Sequence, residues 1–201
     1  MKSAIQAHDQ SAADYDRQIR EYHCYAADVL FGLSFEYVHP RERLLDLGIG
    51  TGLSALPFAR VGLQVFGADA SSEMLNICRA KNIAVELKQF DLENLPWPYA
   101  DDAFEHCIAC GVFHFIADLE KIFQQVARVI RANGVFAFTT KVPPGESKRV
   151  VAETTDGVSV FMHSRTYVEE CVAQSGLGML KDQKFFVGDE LFCAFVVRSI
   201  T

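Results

Sequence analysis

The feature that most constrains this chain is a glycine-rich corner at residues 44–52, which read LLDLGIGTG. The apolar run before the glycines is typical of a buried strand, and glycine lets the main chain turn tightly where a Cβ would collide with a ligand. The dinucleotide fingerprint G-x-G-x-x-G would require glycine at position 53, where this chain has Leu53. The spacing G-x-G-x-G, with a helix from about Gly52, predicts a nucleotide-cofactor turn, the alternative being an ordinary strand-turn-helix corner.

Asp46 stands two residues before the first glycine. Together with the glycine spacing, it resembles motif I of the class I S-adenosylmethionine (SAM) dependent methyltransferases, of the small-molecule type found in ubiquinone and menaquinone biosynthesis. The resemblance extends over roughly residues 13–198. It implies one α/β domain over residues 1–201, with a Rossmann-like, seven-stranded, mostly parallel sheet, helices on both faces and a C-terminal antiparallel hairpin. It also implies SAM as the cofactor.

A second predicted strand ends at Asp69, about 20 positions after Gly50, where an acid is placed to accept both ribose hydroxyls of an adenosine. The resemblance implies that Asp91 and the N–H of Leu92 contact the adenine, although Asp91 alone would more often be a turn former. It also implies that Met74 lies against the adenine, and a core position suits this residue equally well. The predicted cofactor residues are Tyr15, Asp46, Gly48, Ile49, Gly50, Gly52, Asp69, Ala70, Met74, Asp91, Leu92, Cys110 and Gly111.

The fourth predicted strand, 104–110, leads into a segment at 111–118 that resembles motif IV of the family. Ligands of open parallel sheets lie at the carboxyl ends of the strands. His114 is therefore predicted to face the transferred methyl group or its acceptor as the catalytic residue, and a structural histidine is the alternative. The aromatic and polar residues predicted to form a substrate pocket are Tyr22, Phe113, Phe115, Lys141, Phe161 and His163.

Two further segments are predicted to cover the site. Residues 11–33 carry aromatic residues at helical spacing and belong to no strand-helix unit, and residues 13–16 resemble a "YD" element that closes over the cofactor in many of these enzymes. Residues 1–40 are accordingly predicted to form a helical lid, with core packing of the aromatic stripe as the alternative. Residues 140–163 are too long for a tight connection and are predicted to form a substrate loop.

Composition excludes several other classes of protein. A chain of 201 residues, half of them hydrophobic, is large enough for a continuous core. The net charge of −7 and the absence of a basic cluster disfavour nucleic acid, and no apolar run reaches the length of a membrane span. Six scattered cysteines indicate free thiols in the cytoplasm, and Cys107 and Cys110 lie on a predicted strand where they point to opposite faces, so no metal site is expected. The expected partner is a small molecule, and a homodimer stays open.

Three other functions compete with methyl transfer. An NAD-linked oxidoreductase would share the fold, but it needs the third glycine that Leu53 replaces. A non-catalytic SAM-binding subunit remains possible because a fold and a cofactor site say nothing about turnover. Another SAM-consuming transferase on the same fold also stays open, and the sequence does not identify the acceptor.

Overall fold

The computed structural model describes residues 4–145, 150–155 and 157–200. The strands of the described residues are β1 Arg43–Leu47, β2 Gln64–Asp69, β3 Ala84–Gln89, β4 Phe104–Ala109, β5 Ile130–Lys141, β6 Val150–Thr155, β7 Val158–His163, β8 Leu177–Val187 and β9 Glu190–Ser199. Their α-helices are α1 Ala4–Ser11, α2 Tyr15–Glu21, α3 Ala26–Ser34, α4 Leu56–Arg60, α5 Ser72–Ala80, α6 Glu120–Val129 and α7 Arg165–Gln174. Short 3₁₀ turns lie at Ala12–Asp14, Phe35–Tyr37 and Phe113–Phe115.

Seven strands form one sheet in the order β3-β2-β1-β4-β5-β9-β8. Neighbours from β3 to β5 are parallel, whereas β9 runs antiparallel to both β5 and β8. This arrangement confirms the predicted fold class with its C-terminal hairpin. Because the strand order reverses at β1, the carboxyl ends of β1 and β4 form the crevice where open parallel sheets bind ligands.

Each face of the sheet is covered by its own helices. Leu45 packs in a cluster that includes residues of α6 and α7, and its neighbour Leu44 packs in a second cluster with residues of α3, α4 and α5. Successive side chains of a strand point to opposite faces, so the central strands are apolar throughout. The sequence LLDL thus reflects a strand that is buried on both sides.

The N-terminal region is more interrupted than the sequence predicts. The expected helix over 11–33 is divided into α2 and α3, because α2 ends at Glu21 and His23 adopts a left-handed φ of 49°. A residue in this conformation ends an α-helix. The helix after the glycine turn also begins later than predicted, at Leu56, with a proline in its first turn.

Within the predicted loop of residues 140–163, the described residues 150–155 and 158–163 form two paired β-strands. Strands β6 and β7 pair antiparallel as a separate two-stranded sheet. Residues 146–149 and 156 of the same predicted loop lie outside the described residues. Within the described part of the chain, no helix has both the length and the apolar character needed to cross a bilayer.

Candidate functional site

The glycine turn after β1 is shaped by contacts on two sides. Gly48 donates its N–H to the carbonyl of Ala68 over 2.8 Å, which ties the turn to β2. A Cβ on Gly52 would lie 2.4 Å from Cδ1 of Ile83 and 3.0 Å from Sγ of Cys78, so Gly52 packs closely against neighbouring side chains, and its φ of 89° also favours glycine. Gly50, with φ 54°, differs because a Cβ there would meet no protein atom closer than 4.0 Å. The turn therefore packs tightly against the sheet at one glycine and leaves room for a ligand at another.

A cavity of about 270 Å³ opens at the carboxyl ends of β1, β2 and β4. Most of the predicted cofactor residues line it, which brings together segments that are distant in the sequence. These residues are Tyr15, Gly48, Gly50, Asp69, Ala70, Met74, Asp91, Leu92, Cys110 and Gly111. A smaller cavity of about 80 Å³ adjoins it at the glycine turn and is lined by the predicted residue Ile49.

Asp69 connects the glycine turn to the end of β2. One carboxylate oxygen accepts the N–H of Gly50 and the other accepts the N–H of Ser71, each over 2.8 Å. Burial raises the pKa of Asp69, while these main-chain hydrogen bonds act in the opposite direction. Each oxygen retains a lone pair, so the carboxylate can still accept hydrogen bonds from hydroxyl groups in the cavity.

Asp46 lies beneath the turn. It is 0% exposed, and Oδ2 accepts a hydrogen bond from Oγ of Ser54 over 2.7 Å. Burial raises the pKa of Asp46 to about 8, which favours a neutral carboxyl group. Neither Asp46 nor Gly52 lines either cavity. Both residues support the turn from behind in this structure, and their contact with the cofactor stays a prediction.

Two N-terminal helices cover the cavity. Ile5 and His8 of α1 line it together with Tyr15 of α2. Asp9 accepts a hydrogen bond from Oγ of Ser71 over 2.5 Å, which fastens α1 to the cap of α5. That the N-terminal residues 1–40 act as a lid stays a prediction.

A second carboxylate fastens α2 to the core. Asp16 accepts a hydrogen bond from Oγ1 of Thr51 over 2.6 Å and pairs with Nζ of Lys81 at 2.5 Å. Thr51 belongs to the glycine turn, so this contact joins the lid to the turn directly. Asp16 immediately follows Tyr15, and it therefore holds that ring over the cavity.

His114 lies behind the cavity wall. Its ring is 4.1 Å from that of Phe115 and 5.6 Å from that of Phe192, between ring centroids. Nδ1 is buried and has no hydrogen-bond partner among the described residues. Burial, aided by nearby His8, lowers the pKa of His114 to about 3, which makes it a weak base at neutral pH. His114 does not line either cavity, so its surroundings favour the structural alternative over the predicted catalytic role.

Three aromatic residues predicted for the substrate pocket lie in different places. Phe115 lines the larger cavity. Tyr22 is 71% exposed at the end of α2, and Phe113 is 0% exposed and packs in the core against Phe136. Neither Tyr22 nor Phe113 reaches the larger cavity in this structure, and their pocket role stays a prediction. The spacing of aromatic residues in the sequence does not predict on which side of a turn each side chain will lie.

The other predicted pocket residues, on β5 and β7, do not line either cavity. Nζ of Lys141 pairs with Glu190 at 2.6 Å, which neutralises its charge. His163 is buried, and its Nδ1 lies 2.7 Å from Oγ1 of Thr140. Burial lowers the pKa of His163 to about 4. These contacts and the half-buried Phe161 give the segment a structural role, and its assignment to a substrate pocket stays a prediction.

Several cavity residues were not predicted from the sequence. They are Ile5, His8, Ser71, Glu93, Val112 and Ile116. Ser71 and Val112 directly follow predicted residues, so adjacency could have identified them. Ile5 and His8 carry no such signal, because α1 reaches the cavity only through tertiary packing.

Comparison with known proteins adds an independent finding. The methyltransferase domain family matches residues 45–138. The biotin biosynthesis bifunctional protein BioHC of Cellvibrio japonicus is 29% identical over 184 residues, which cover 89% of this chain and 36% of that protein. A malonyl-[acyl-carrier protein] O-methyltransferase of Serratia marcescens is 33% identical over 102 residues, covering 51% of this chain and 39% of that protein. The chain thus spans less than half the length of these two curated relatives.

Solved structures agree on the fold. The crystal structure of Burkholderia thailandensis 1,6-didemethyltoxoflavin-N1-methyltransferase, with bound 1,6-didemethyltoxoflavin and S-adenosylhomocysteine, superposes with a TM-score of 0.74. The match covers 97% of this chain and 88% of that chain at 14% sequence identity. At this identity the likeness establishes a common architecture.

Proposed function

We propose that the chain is a class I SAM-dependent methyltransferase that transfers the methyl group of SAM to a small-molecule acceptor, a proposal supported by the match of residues 45–138 to the methyltransferase domain family. The observation that carries the proposal is the contact between Gly50 and Asp69, which joins the glycine turn to the ribose acid at one cavity. In this family the cofactor is SAM, so the residues of the cavity can be tested for their fit to it.

Two glycines of the cavity have free space where a Cβ would stand, which fits a ligand that approaches the main chain closely. A Cβ on Gly50 would have no protein atom closer than 4.0 Å, and one on Gly111 would have none within 4 Å. Both residues line the cavity. In the proposed complex, Asp69 would hold the ribose hydroxyls, while Met74 and Asp91 would border the adenine. The residues present therefore fit SAM.

Bound SAM supplies a methyl group on a sulfonium sulfur, which makes that group ready for displacement by a nucleophile. The task left to the protein is to align the acceptor and to exclude water. His8 and Tyr15 cover the cavity from α1 and α2 and can serve both purposes. The two fastening carboxylates, Asp9 and Asp16, would keep these helices closed during the reaction.

The charges of the cavity favour an acceptor that is not strongly anionic. Asp69, Asp91 and Glu93 line it, and the described lining residues include neither lysine nor arginine. A phosphate or polyphosphate group would be repelled by these carboxylates and would find no basic partner. A neutral or cationic small molecule fits this lining better than nucleic acid does.

A screen for turnover tests the proposal. Purified protein would be incubated with SAM and fractionated small-molecule extracts, and formation of S-adenosylhomocysteine (SAH) would be measured together with methylated products. Acceptor-dependent SAH and a product heavier by one methyl group are expected, and Asp69→Ala should lose both. Binding of SAM without any SAH from any fraction would instead support the non-catalytic alternative. SAH without a methylated product would indicate a different SAM-consuming reaction.

A further inference from the structure

His8 is the one histidine that lines the larger cavity among the described residues. It lies on α1, one residue before Asp9, which is fastened to Ser71. Its ring packs edge-on against that of Phe115, with the ring centroids 5.0 Å apart. Within the described part of the chain, its ring nitrogens make no hydrogen bond. A polar ring is thus presented to the cavity with its hydrogen-bonding groups available.

The other two histidines near this end of the sheet differ in this respect. His114 is packed between aromatic rings behind the cavity wall, and His163 is buried against Thr140. Neither lines the cavity. A histidine that exchanges a proton with an acceptor must reach it directly or through one water, so geometry favours His8.

The charges around His8 suit a group that gains a proton temporarily. Burial lowers the pKa of His8, while the carboxylates of Asp69 at the end of β2 and of the adjacent Asp9 act in the opposite direction. His8 in turn lowers the pKa of the nearby His114. Asp91 and Glu93 line the same cavity from the segment after β3. The ring is neutral at pH 7, and an imidazolium formed there would be stabilised by carboxylates.

We propose that His8 is the catalytic base of the reaction, carried over the cavity by α1, and that the acceptor bears a hydroxyl or a ring N–H group. The inference rests on the proposed function. A ring nitrogen of His8 takes the proton from the acceptor heteroatom, and the electron pair left on that atom forms the new bond to the methyl carbon. The pair of the broken carbon–sulfur bond stays on sulfur, and His8 returns its proton to solvent when the lid opens.

The first test locates His8 without requiring an acceptor. Diethyl pyrocarbonate modifies accessible neutral imidazoles, and the modified residue can be identified by mass spectrometry of peptides. Saturating SAH should slow modification of His8 at least threefold and leave the exposed His23 unchanged. Equal modification of His8 with and without SAH, under conditions where calorimetry shows SAH bound, would overturn the inference while the cofactor assignment stands.

The second test measures the role of His8, with an acceptor found in the turnover screen. His8→Gln should bind SAH within about threefold of wild type but lose 10²- to 10⁴-fold in kcat, roughly the usual contribution of a general base. In wild type, kcat/KM should rise as the pH increases through the pKa of His8 and then level off, because only the neutral ring accepts a proton. This ionisation should be missing in His8→Gln and present in the surface control His23→Gln.

Chemical rescue separates a base from a residue that only shapes the lid. Millimolar imidazole should restore part of the activity of His8→Ala, because the small base can enter the space left by the ring. Normal kcat and an unchanged pH profile in His8→Gln would overturn the inference. Failure of wild-type protein to bind SAH would be a different result, since it removes the proposed function itself.

Discussion

The two ends of the cavity are built differently. At the proposed adenosine end, Asp69 ends β2 and Asp91 follows the neighbouring parallel strand β3, and Asp69 binds the glycine turn directly. At the proposed acceptor end, His8 comes from α1 and Phe115 from a 3₁₀ turn more than a hundred residues away in the chain. The adenosine end therefore depends on short-range spacing and sheet topology, whereas the acceptor end depends on how separate segments pack.

The electrostatics of the two ends differ as well. The adenosine end holds carboxylates, with Asp69 stabilised by main-chain N–H groups. Near the proposed acceptor end, burial lowers the pKa of His8, which lines the cavity, and also the pKa values of His114 and His163, which do not. The carboxylates are thus fixed by main-chain hydrogen bonds, whereas the histidine rings are held by side-chain packing.

The largest expected effect is at the glycine turn. Gly50→Val should abolish SAH binding, because the side chain would occupy the open space beside the turn and the residue has a left-handed φ of 54°. Gly188→Val is a matched control: Gly188 also has an open Cβ position and a φ of 57°, but it lies in the turn between β8 and β9. Calorimetry on folded protein should find SAH binding lost in the first variant and kept in the second. Binding retained by folded Gly50→Val would show that the turn has only a structural role.

A smaller loss is expected at the ribose acid. Asp69→Ala should weaken SAH binding by about 2–4 kcal/mol, because charge-assisted hydrogen bonds to two hydroxyls would be removed from a partly desolvated site. Asp46→Asn, beneath the turn, should change the affinity by less than about 1 kcal/mol because the buried carboxyl group is already largely neutral. If both substitutions weakened binding equally, the assignment of Asp46 to a supporting role would be wrong.

The smallest expected effect concerns the lid. Asp16→Asn should weaken SAH binding about fivefold, since a partly exposed ion pair with Lys81 and a charged hydrogen bond from Thr51 contribute roughly 1 kcal/mol together. Hydrogen exchange over residues 11–21 should become faster in this variant and slower when SAH binds to wild type. Asp14→Asn is the control, because Asp14 pairs with Arg17 on the exposed side of the same segment. Hydrogen-exchange rates over residues 11–21 that do not change when SAH binds would contradict the prediction that this segment acts as a lid.

The sequence predicts the positions of those site residues that follow from the order of the strands along the chain. The positions of Asp69 and Asp91 could be predicted because strand ends of a parallel sheet meet at one edge. Tyr22 could not be placed, because the left-handed residue His23 ends the helix and leaves the ring in solvent. His8 could not be found either, since nothing in the sequence of α1 indicates which distant segment it covers.

The most direct test of the central claim is a comparison of two ligands by titration calorimetry. SAH should bind wild-type protein with one site per chain, NAD should not bind, and Asp69→Ala should lose most of the SAH affinity. Saturation with SAH at 100 times its dissociation constant should stabilise the fold by about 2.7 kcal/mol, measured as a higher melting temperature. Binding of NAD without binding of SAH would contradict the account.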